Sequence, residues 1–489
     1  MPSYNSYYSR LWSGLSWCNS KRQYQKMSKE EKLIPGLPTG FEDRWDKKLS
    51  LKKKLLQIIE DNFLKYGFSP LETPSFEISK NIGSFLADDE ANLMSDVFTF
   101  NDGKEKITLR YDLSSPLSRF VAQQYRLLPF PYKRYAIGNV WRNEKSGNAR
   151  YREFTQADVD IIGNVNKSQA DSEICNIIAD TLTKCGLSEK QFKVSISNRK
   201  IVKGLINSLK INNKSQEIKV IRAIDKLDRI GLNGVEDLLK KERTDVSRAI
   251  TKGANLSDTQ ASEILNFLKI KNLKDLKSIL KNSLSLEGIK ETEDLLEILS
   301  YGKYANLIQP NFTIVRGLAY YDGFCVETNL SFKVKNLKGK DIDIGSVASG
   351  GRYDKLISRF KGSDFPGTGM SIGVDRLLFA LDQVSSIKPK KDEPVLICIL
   401  DSKYLKKYYE TLDYLRDKGI NSELFLDASK NLKKQLIYAD KKGCSAAIIL
   451  GESEIKENKF TIKNLKSSKK NDQKTVSKEN LIDAIKKII

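Results

Sequence analysis

Residues 141–163 read WRNEKSGNARYREFTQADVDIIG, and the reading of this run decides the fold around it. Phe154, Gln156, Asp158 and Asp160 fall two apart, with Ala157, Val159 and Ile161 between them, so the segment is a strand with one ligand-facing and one apolar face. Polar groups lining one face of a core strand are costly unless they meet a ligand or one another. Just upstream, Arg142 and Arg150 flank a short turn containing Ser146, Gly147 and Asn148. A hairpin built this way can carry both guanidiniums to one polyphosphate in fork geometry. The run therefore reads as part of a nucleoside triphosphate site.

Composition bounds what surrounds it. With 489 residues, 40% of them hydrophobic, the chain can bury a large core and is expected to form two or three domains. No run approaches the length of a membrane span, which predicts a soluble protein. The formal charge of +21 fits either a polyanionic partner or a lysine-rich composition without one. Cysteines 18, 175, 185, 325, 398 and 444 form no CxxC pair, so neither a disulfide framework nor a zinc site is expected. Histidine is absent, where a chain of this length ordinarily carries on the order of ten. Histidine acid–base catalysis and histidine-ligated metals are thereby excluded, leaving charge, position and a hard metal brought by carboxylates or phosphates.

Outward from the opening segment, organisation follows from periodicity. Residues 1–26 contain no acid and are followed at once by Met27, which fits either a misassigned upstream start or a basic targeting segment. Leu51, Leu55, Ile58, Ile59 and Phe63 recur at helical spacing over Leu49–Tyr66, ending at Gly67. Residues 198–305 read as mostly helical and charged, with Leu265 and Leu268 on narrow apolar stripes, the pattern of an inserted helical subdomain. Strands are expected at Thr313–Val315 and Cys325–Glu327. SSIKPKKDEP, ending at Pro394, reads as a linker. Beyond it, VLICIL is a buried strand, followed by a helix with Leu405, Tyr409, Leu412 and Leu415 on one face, closed by Gly419. A strand at Ser422–Leu426, a helix at Leu432–Tyr438 and a strand at Ala446–Leu450 complete the alternation of an α/β domain over 393–489.

Three further runs carry recognition. TIVRGLAYYDGFCVE places Arg316 and Tyr321 at the end of an apolar strand. SGGRYDKL, from Ser349, and GTGMSIGVDRLLFAL, from Gly367, supply a glycine-lined floor and set Arg376 at the start of an apolar helix. In this order the motifs strongly resemble those of the histidyl-tRNA synthetases, a class II aminoacyl-tRNA synthetase family, over about Ile34 to Ile489. FSPLETPSFE, with Pro74, resembles the first class II motif, a dimer-interface segment. WRNEKSGNARYREFTQ resembles the second and GVDRLLFAL the third. RGLAYY and SGGRYDKL resemble the two histidyl signatures, and LRYDLSSPLSR the amino-acid-binding loop. KKQLIYADKKG and IILGESE resemble parts of the anticodon-binding domain.

The resemblance implies an α+β fold: an antiparallel sheet flanked by helices in a catalytic domain over 28–385, with the helical insertion at about 198–305. Residues 393–489 would be the anticodon-binding α/β domain and residues 1–27 an extension outside it. It implies ATP-dependent ligation of L-histidine to histidine tRNA through a histidyl-adenylate, by a cytoplasmic homodimer with no membrane attachment. Mg2+ would accompany ATP, with no side chains assigned to it. By matching position, Arg142 would hold the α-phosphate and the substrate carboxylate, and Glu144 the adenine amino edge. Phe154 would stack beneath the adenine, and Arg150 and Arg376 would grip the outer phosphates. Arg316 would be catalytic with Arg142, stabilising charge on the α-phosphate. Asp112, Ser114, Gln156, Asp160 and Tyr321 would bind histidine, whose ammonium and imidazole suit carboxylates and a tyrosine.

Departures from the family pattern are few. Ala319 stands where an acid usually precedes the paired tyrosines, and Thr155 where histidine is common. Gly147 stands where a longer polar side chain usually reads the extra 5′ guanosine of histidine tRNA. The loop NEKSGNAR resembles that of an alphaproteobacterial branch whose tRNA lacks this guanosine. Two other functions share the scaffold: a silent paralogue regulating ATP phosphoribosyltransferase, and a nucleic-acid-binding accessory protein. The paralogue typically lacks the anticodon-binding domain and degrades the arginines, whereas Arg142, Arg316 and Arg376 are all present.

Overall fold

The computed structural model describes residues 34–82, 97–147, 149–244, 250–315, 321–336, 338–360, 365–384, 393–467 and 472–489. The N-terminal 26 residues, Asn148, the segment with Arg316 and Ala319, and most of the linker before Pro394 lie outside them. Two compact units emerge. One takes the described residues up to Asp43, Phe63–Asp180 and Glu189–Phe379; the other takes Arg44–Asn62, Thr181–Ser188 and Ala380–Ile489.

The first unit is organised by an eight-stranded sheet. Its strands in chain order are β1 (Ser69–Pro70), β2 (Tyr132–Trp141), β3 (Glu153–Ile162), β4 (Phe192–Asn198), β5 (Ile308–Pro310), β6 (Phe324–Leu330), β7 (Ala348–Arg352) and β8 (Gly367–Gly373). Their spatial order is β1-β2-β3-β8-β7-β6-β4-β5. All neighbours are antiparallel except the two edge pairs, β1–β2 and β4–β5, which run parallel. The alternation read over 154–161 makes β3 central: Ala157 and Val159 are fully buried beneath the sheet, and the other face holds Gln156, Asp158 and Asp160. Helix α3 (Lys167–Lys184) follows β3 in the chain, and helices α2 (Ser114–Gln124) and α10 (Val374–Val384) begin beside the upper face.

Between β4 and β5 the chain forms a helical insertion whose sequence sets its own boundaries. Helices α4 (Arg199–Ser208), α5 (Lys214–Asp225), α7 (Asp258–Leu268), α8 (Leu273–Ile279) and α9 (Ser283–Ser300) each start after an Asn or Ser whose side chain accepts from a first-turn amide. Ser257 and Gln260 close a reciprocal capping box. Helix α6 (Leu227–Lys240) bends at Gly231, whose φ of 67° no ordinary helix contains. Ile201, Leu205, Leu239, Ile264 and Phe267 form the core of this insertion, which Phe312 and Val315 join from beyond β5, with Leu268 inside it and Leu265 at its margin.

One expected strand is displaced. Thr313–Val315 is not a strand: Phe312 and Thr313 turn, because the Asn311 side chain accepts from the Thr313 amide (3.2 Å) and hydroxyl (2.7 Å), and the pairing falls earlier at β5.

In the second unit, the N-terminal part of α1 (Asp46–Lys65) buries Leu51, Leu55 and Ile59 at the expected spacing. Five strands follow the linker: β9 (Val395–Cys398), β10 (Ser422–Leu424), β11 (Ala446–Ile449), β12 (Lys459–Asn464) and β13 (Gln473–Ser477), in the order β10-β9-β11-β12-β13. Helices α11 (Leu405–Asp417), α12 (Leu432–Lys442) and α13 (Lys478–Lys486) accompany them, and α12 ends at Gly443 with φ 77°. The buried stripe of α11 is Tyr408, Thr411, Leu412 and Leu415; Tyr409, expected inside, is half exposed. The turn of α11 gives the core position to Tyr408, whose hydroxyl donates to Leu450 O at 3.0 Å. Gln435 is fully buried and ties α12 to the residue just past β9, donating to Ile399 O (2.7 Å) and accepting from Ile399 N (2.9 Å). No described helix is long and apolar enough to cross a membrane.

Candidate active site

Strand register assembles the floor of one large cleft, about 2180 Å³, in the first unit. Directly paired residues share a face, so Ala136, Asp158, Ser371, Ser349, Glu327 and Ser195 form one row across six strands. The adjacent row is Arg134, Asp160, Gly369, Gly351, Cys325 and Ser197. Next to Asp158 on the other side, Gln156 lies between Gly138 and Gly373.

Two of the glycines are dictated by what approaches them. A Cβ on Gly369 would come within 2.2 Å of Asp160 Oδ1, and one on Gly351 within 3.0 Å of the Tyr321 ring. Asp160 is held from both sides: Arg134 Nη2 stands 2.7 Å from its Oδ2, and the Tyr353 hydroxyl donates to Oδ1. Burial lifts the Asp160 carboxyl above its ordinary range against the pull of Arg134, and pushes the Tyr321 and Tyr353 hydroxyls well up. Gln156 Nε2 donates to Ser371 Oγ at 2.7 Å. Asp112 is buried where α2 begins and accepts from Ser115 N at 2.9 Å, with Ser114 the first residue of that helix.

The other end of the cleft is cationic. Arg142 donates through Nε to Tyr111 O (3.2 Å), and its guanidinium lies 4.3 Å from the centre of the Tyr111 ring and 5.2 Å from that of Phe154. Arg150 closes a tight turn with Gly147 through two 3.0 Å backbone hydrogen bonds and stands 3.7 Å from Glu144, half exposed. Arg376 donates to Ser346 O from the start of α10; burial, then the nearby Arg150 and Arg142, hold its pKa below the usual guanidinium range. Three guanidiniums gathered against their mutual repulsion make an anion site. Asp375 anchors this helix to the floor by accepting from Thr155 N at 2.6 Å, and the Thr155 hydroxyl donates to Asn139 Oδ1 at 2.7 Å.

Of the residues read from sequence, Asp112, Ser114, Gln156, Asp160 and Tyr321, with Arg142, Glu144, Arg150, Phe154 and Arg376, all line this cleft. Arg316 lies outside the described residues, but its flanks are fixed: Arg199, the first residue of α4, donates to Tyr321 O (2.8 Å) and Val315 O (3.1 Å). Sequence reasoning assigned no role to Asp158, Arg134, Tyr353 or Glu327. Asp158 was visible as a member of the period-two run, and Tyr353 sits inside SGGRYDKL. Nothing local marks Arg134 or Glu327, whose places come from strand pairing.

Two family matches divide the chain. The family described as "Histidyl-tRNA synthetase" matches residues 40–377, and that described as "Anticodon binding domain" matches residues 394–488. The histidine–tRNA ligase of Pelagibacter ubique is 67% identical over 466 residues, covering 95% of this chain and 100% of that protein. The histidine–tRNA ligase of Bartonella bacilliformis is 39% identical over 452 residues, covering 89% and 90%. Among solved structures, histidyl-tRNA synthetase from Nostoc sp. PCC 7120 superposes with a TM-score of 0.70 at 26% identity, covering 94% of this chain and 100% of that one. An ATP phosphoribosyltransferase regulatory subunit/histidyl-tRNA synthetase from Bacillus halodurans gives 0.65 at 22% identity, covering 83% and 96%, a likeness of fold alone.

Proposed function

Because this chain belongs to the histidyl-tRNA synthetase family and is a histidine–tRNA ligase, we propose the following division of labour among its residues. Asp112, Ser114, Gln156, Asp160 and Tyr321 bind histidine. Arg142 holds the α-phosphate and the substrate carboxylate, Glu144 and Phe154 the adenine, and Arg150 and Arg376 the outer phosphates. Mg2+ enters with ATP as part of that substrate; Glu327, a buried carboxylate close enough to Arg376 to influence it, fits the polyphosphate end. The observation that carries this reading is the polarity of the cleft. A carboxylate end, with Asp160 locked by Arg134 and Tyr353, suits an ammonium and an imidazole, and the three-guanidinium end suits a polyphosphate.

The chemistry follows from that alignment. The histidine carboxylate oxygen attacks the α-phosphorus, a new P–O bond forms, and the bond to pyrophosphate breaks in line. Arg142 and Arg316 stabilise the charge growing on the α-phosphate oxygens. No proton moves in this step, so a site without histidine side chains performs it. The acyl group then passes to the terminal ribose of tRNA, and AMP leaves.

We assign residues 28–385 to the catalytic domain, with the insertion at about 198–305, and 393–489 to the anticodon-binding domain. A cytoplasmic homodimer pairing through the Pro74 segment completes the proposal. Histidine-dependent ATP–pyrophosphate exchange tests it: exchange that requires histidine supports the reading, and no exchange with intact protein refutes it. The silent-paralogue reading is not favoured, since Arg142 and Arg376 are both present in the cleft and the C-terminal unit is complete in its core.

A further inference from the structure

At the floor of the cleft, three carboxylates and two guanidiniums lie buried together. Asp112, Asp158 and Asp160 are each 2% exposed, Arg134 is fully buried and Arg110 nearly so. Fully ionised, this cluster carries one net negative charge in a place where uncompensated charge is costly. Most of its members are committed. Arg110 donates to Asn139 O and Thr73 O, Arg134 to Leu113 O, and Asp160 is held by Arg134 and Tyr353. Arg134 keeps Nε and Nη1 without a hydrogen-bond partner among the described residues, and Asp158 is the carboxylate with an oxygen engaged by neither a hydrogen bond nor an ion pair. The Ser371 hydroxyl, which receives Gln156 Nε2 at 2.7 Å, serves Asp158 in turn. Asp158 Oδ1 and Gln156 Oε1 remain two buried acceptors with no partner among the described residues, and both residues line the cleft.

Two adjacent unpaired acceptors call for a donor with several N–H bonds. We propose that Asp158 is a substrate-binding carboxylate that receives the substrate α-ammonium together with Gln156 and releases a proton to solvent as the ammonium arrives. The inference rests on the reading that this floor binds histidine. In the exchange only the Asp158 O–H bond breaks, the ammonium keeps its protons, and the cluster stays neutral throughout. The surroundings favour the proton in the empty site. Burial lifts the Asp158 carboxyl to about 7; Arg134 and the Ser371 hydroxyl oppose this, while Asp160 and Asp112 add to it. From β2 and the loop before α2 the charged neighbours are Arg134, Arg110 and Asp112; from β3 itself, Asp160. On β8 the facing residues Gly369, Ser371 and Gly373 carry no charge, and the Tyr321 hydroxyl stays protonated.

The test is calorimetric titration of L-histidine into the full chain, wild type and Asp158→Asn, in buffers of different ionisation heat. The imidazole of the ligand exchanges protons in the same range but in both proteins, so the difference between them is the readout. At pH 7 the wild type should release roughly half a proton more than the variant, and its affinity should rise about tenfold more between pH 6 and pH 8. Equal proton counts overturn the proposal. Should Asp158→Asn fail to fold, Ser371→Ala serves: losing the hydroxyl should move the midpoint of the affinity profile to higher pH, and an unmoved midpoint overturns the proposal. Absence of any histidine binding to the wild type would remove the site reading itself, and the proposal with it.

Discussion

Adding one methyl group at Gly369 should disable histidine binding while the same change four residues along the strand should not. In Gly369→Ala the new Cβ falls 2.2 Å from Asp160 Oδ1, 2.7 Å from its Cγ and 2.7 Å from Val159 O. The first is more than an ångström, and the other two somewhat less, inside the ~3.5 Å at which nonbonded heavy atoms rest. The carboxylate cannot simply step aside, because Arg134 at 2.7 Å and the Tyr353 hydroxyl pin its two oxygens. Either β8 shifts or the carboxylate tips and gives up an anchor, and overpacking of this kind costs about 1–3 kcal/mol. If the carboxylate tips in the free protein, binding must force it back, and the cost appears as roughly a 5- to 150-fold loss of histidine affinity. At Gly373, on the same strand and face, a Cβ meets nothing nearer than 3.8 Å. Calorimetry with L-histidine on both variants, beside thermal melts, separates the two sites. Wild-type affinity and melting in Gly369→Ala would refute the claim that Asp160 is locked against β8.

Arg316→Lys should lower the rate of adenylate formation far more than it weakens histidine binding, since a point charge cannot reproduce a guanidinium fork on the α-phosphate; equal pre-steady-state rates would overturn the assignment. The empty protein should lose stability as pH rises through about 6 to 7. Burial lifts Asp171 to about 6 despite Arg352, and Asp158 to about 7, so the folded chain keeps protons that the unfolded chain, with ordinary carboxylates, releases near pH 4. The stabilisation is complete below pH 4 and drains away above it; denaturant melts in which Asp158→Asn shows the same pH slope as the wild type would contradict this. Transcripts of histidine tRNA without an extra 5′ guanosine should be charged at least as well as those with it, because Gly147 offers no side chain where a base contact is worth about 1–3 kcal/mol. A strong preference for the guanosine-bearing transcript would count against that reading.

How far the sequence could be read depended on whether the signal was local. The alternation over 154–161 placed β3 because a buried strand with one ligand-facing side has few other solutions; the Asn and Ser caps of the insertion helices are equally local signals, yet the reading there went no further than a mostly helical stretch. The positions of Glu327, Ser195 and Arg134 on the floor depend on which strands become neighbours, and no window of sequence contains that. Tyr353 was hidden in a run read for its glycines, although its hydroxyl, with Arg134, holds Asp160. The exchange of Tyr408 for Tyr409 on the buried face of α11 shows a different limit. Two adjacent tyrosines differ by 100° around a helix, and only the packing partner, here Leu450 O, chooses between them. The turn at Thr313 was likewise decided by one side chain, Asn311, acting before a strand could extend.

The hydroxyl of Thr155, bonded to Asn139 at the foot of β3, fills with a threonine a position at which histidine is common, and these 489 residues contain no histidine anywhere. The ribosome therefore translates all of them without once calling on the aminoacyl-tRNA that the finished enzyme makes. When that pool runs dry, synthesis of most proteins stalls at histidine codons, whereas this message continues to be read. Enzyme level and product level are uncoupled in one direction: too little charged tRNA cannot throttle the supply of the catalyst that restores it.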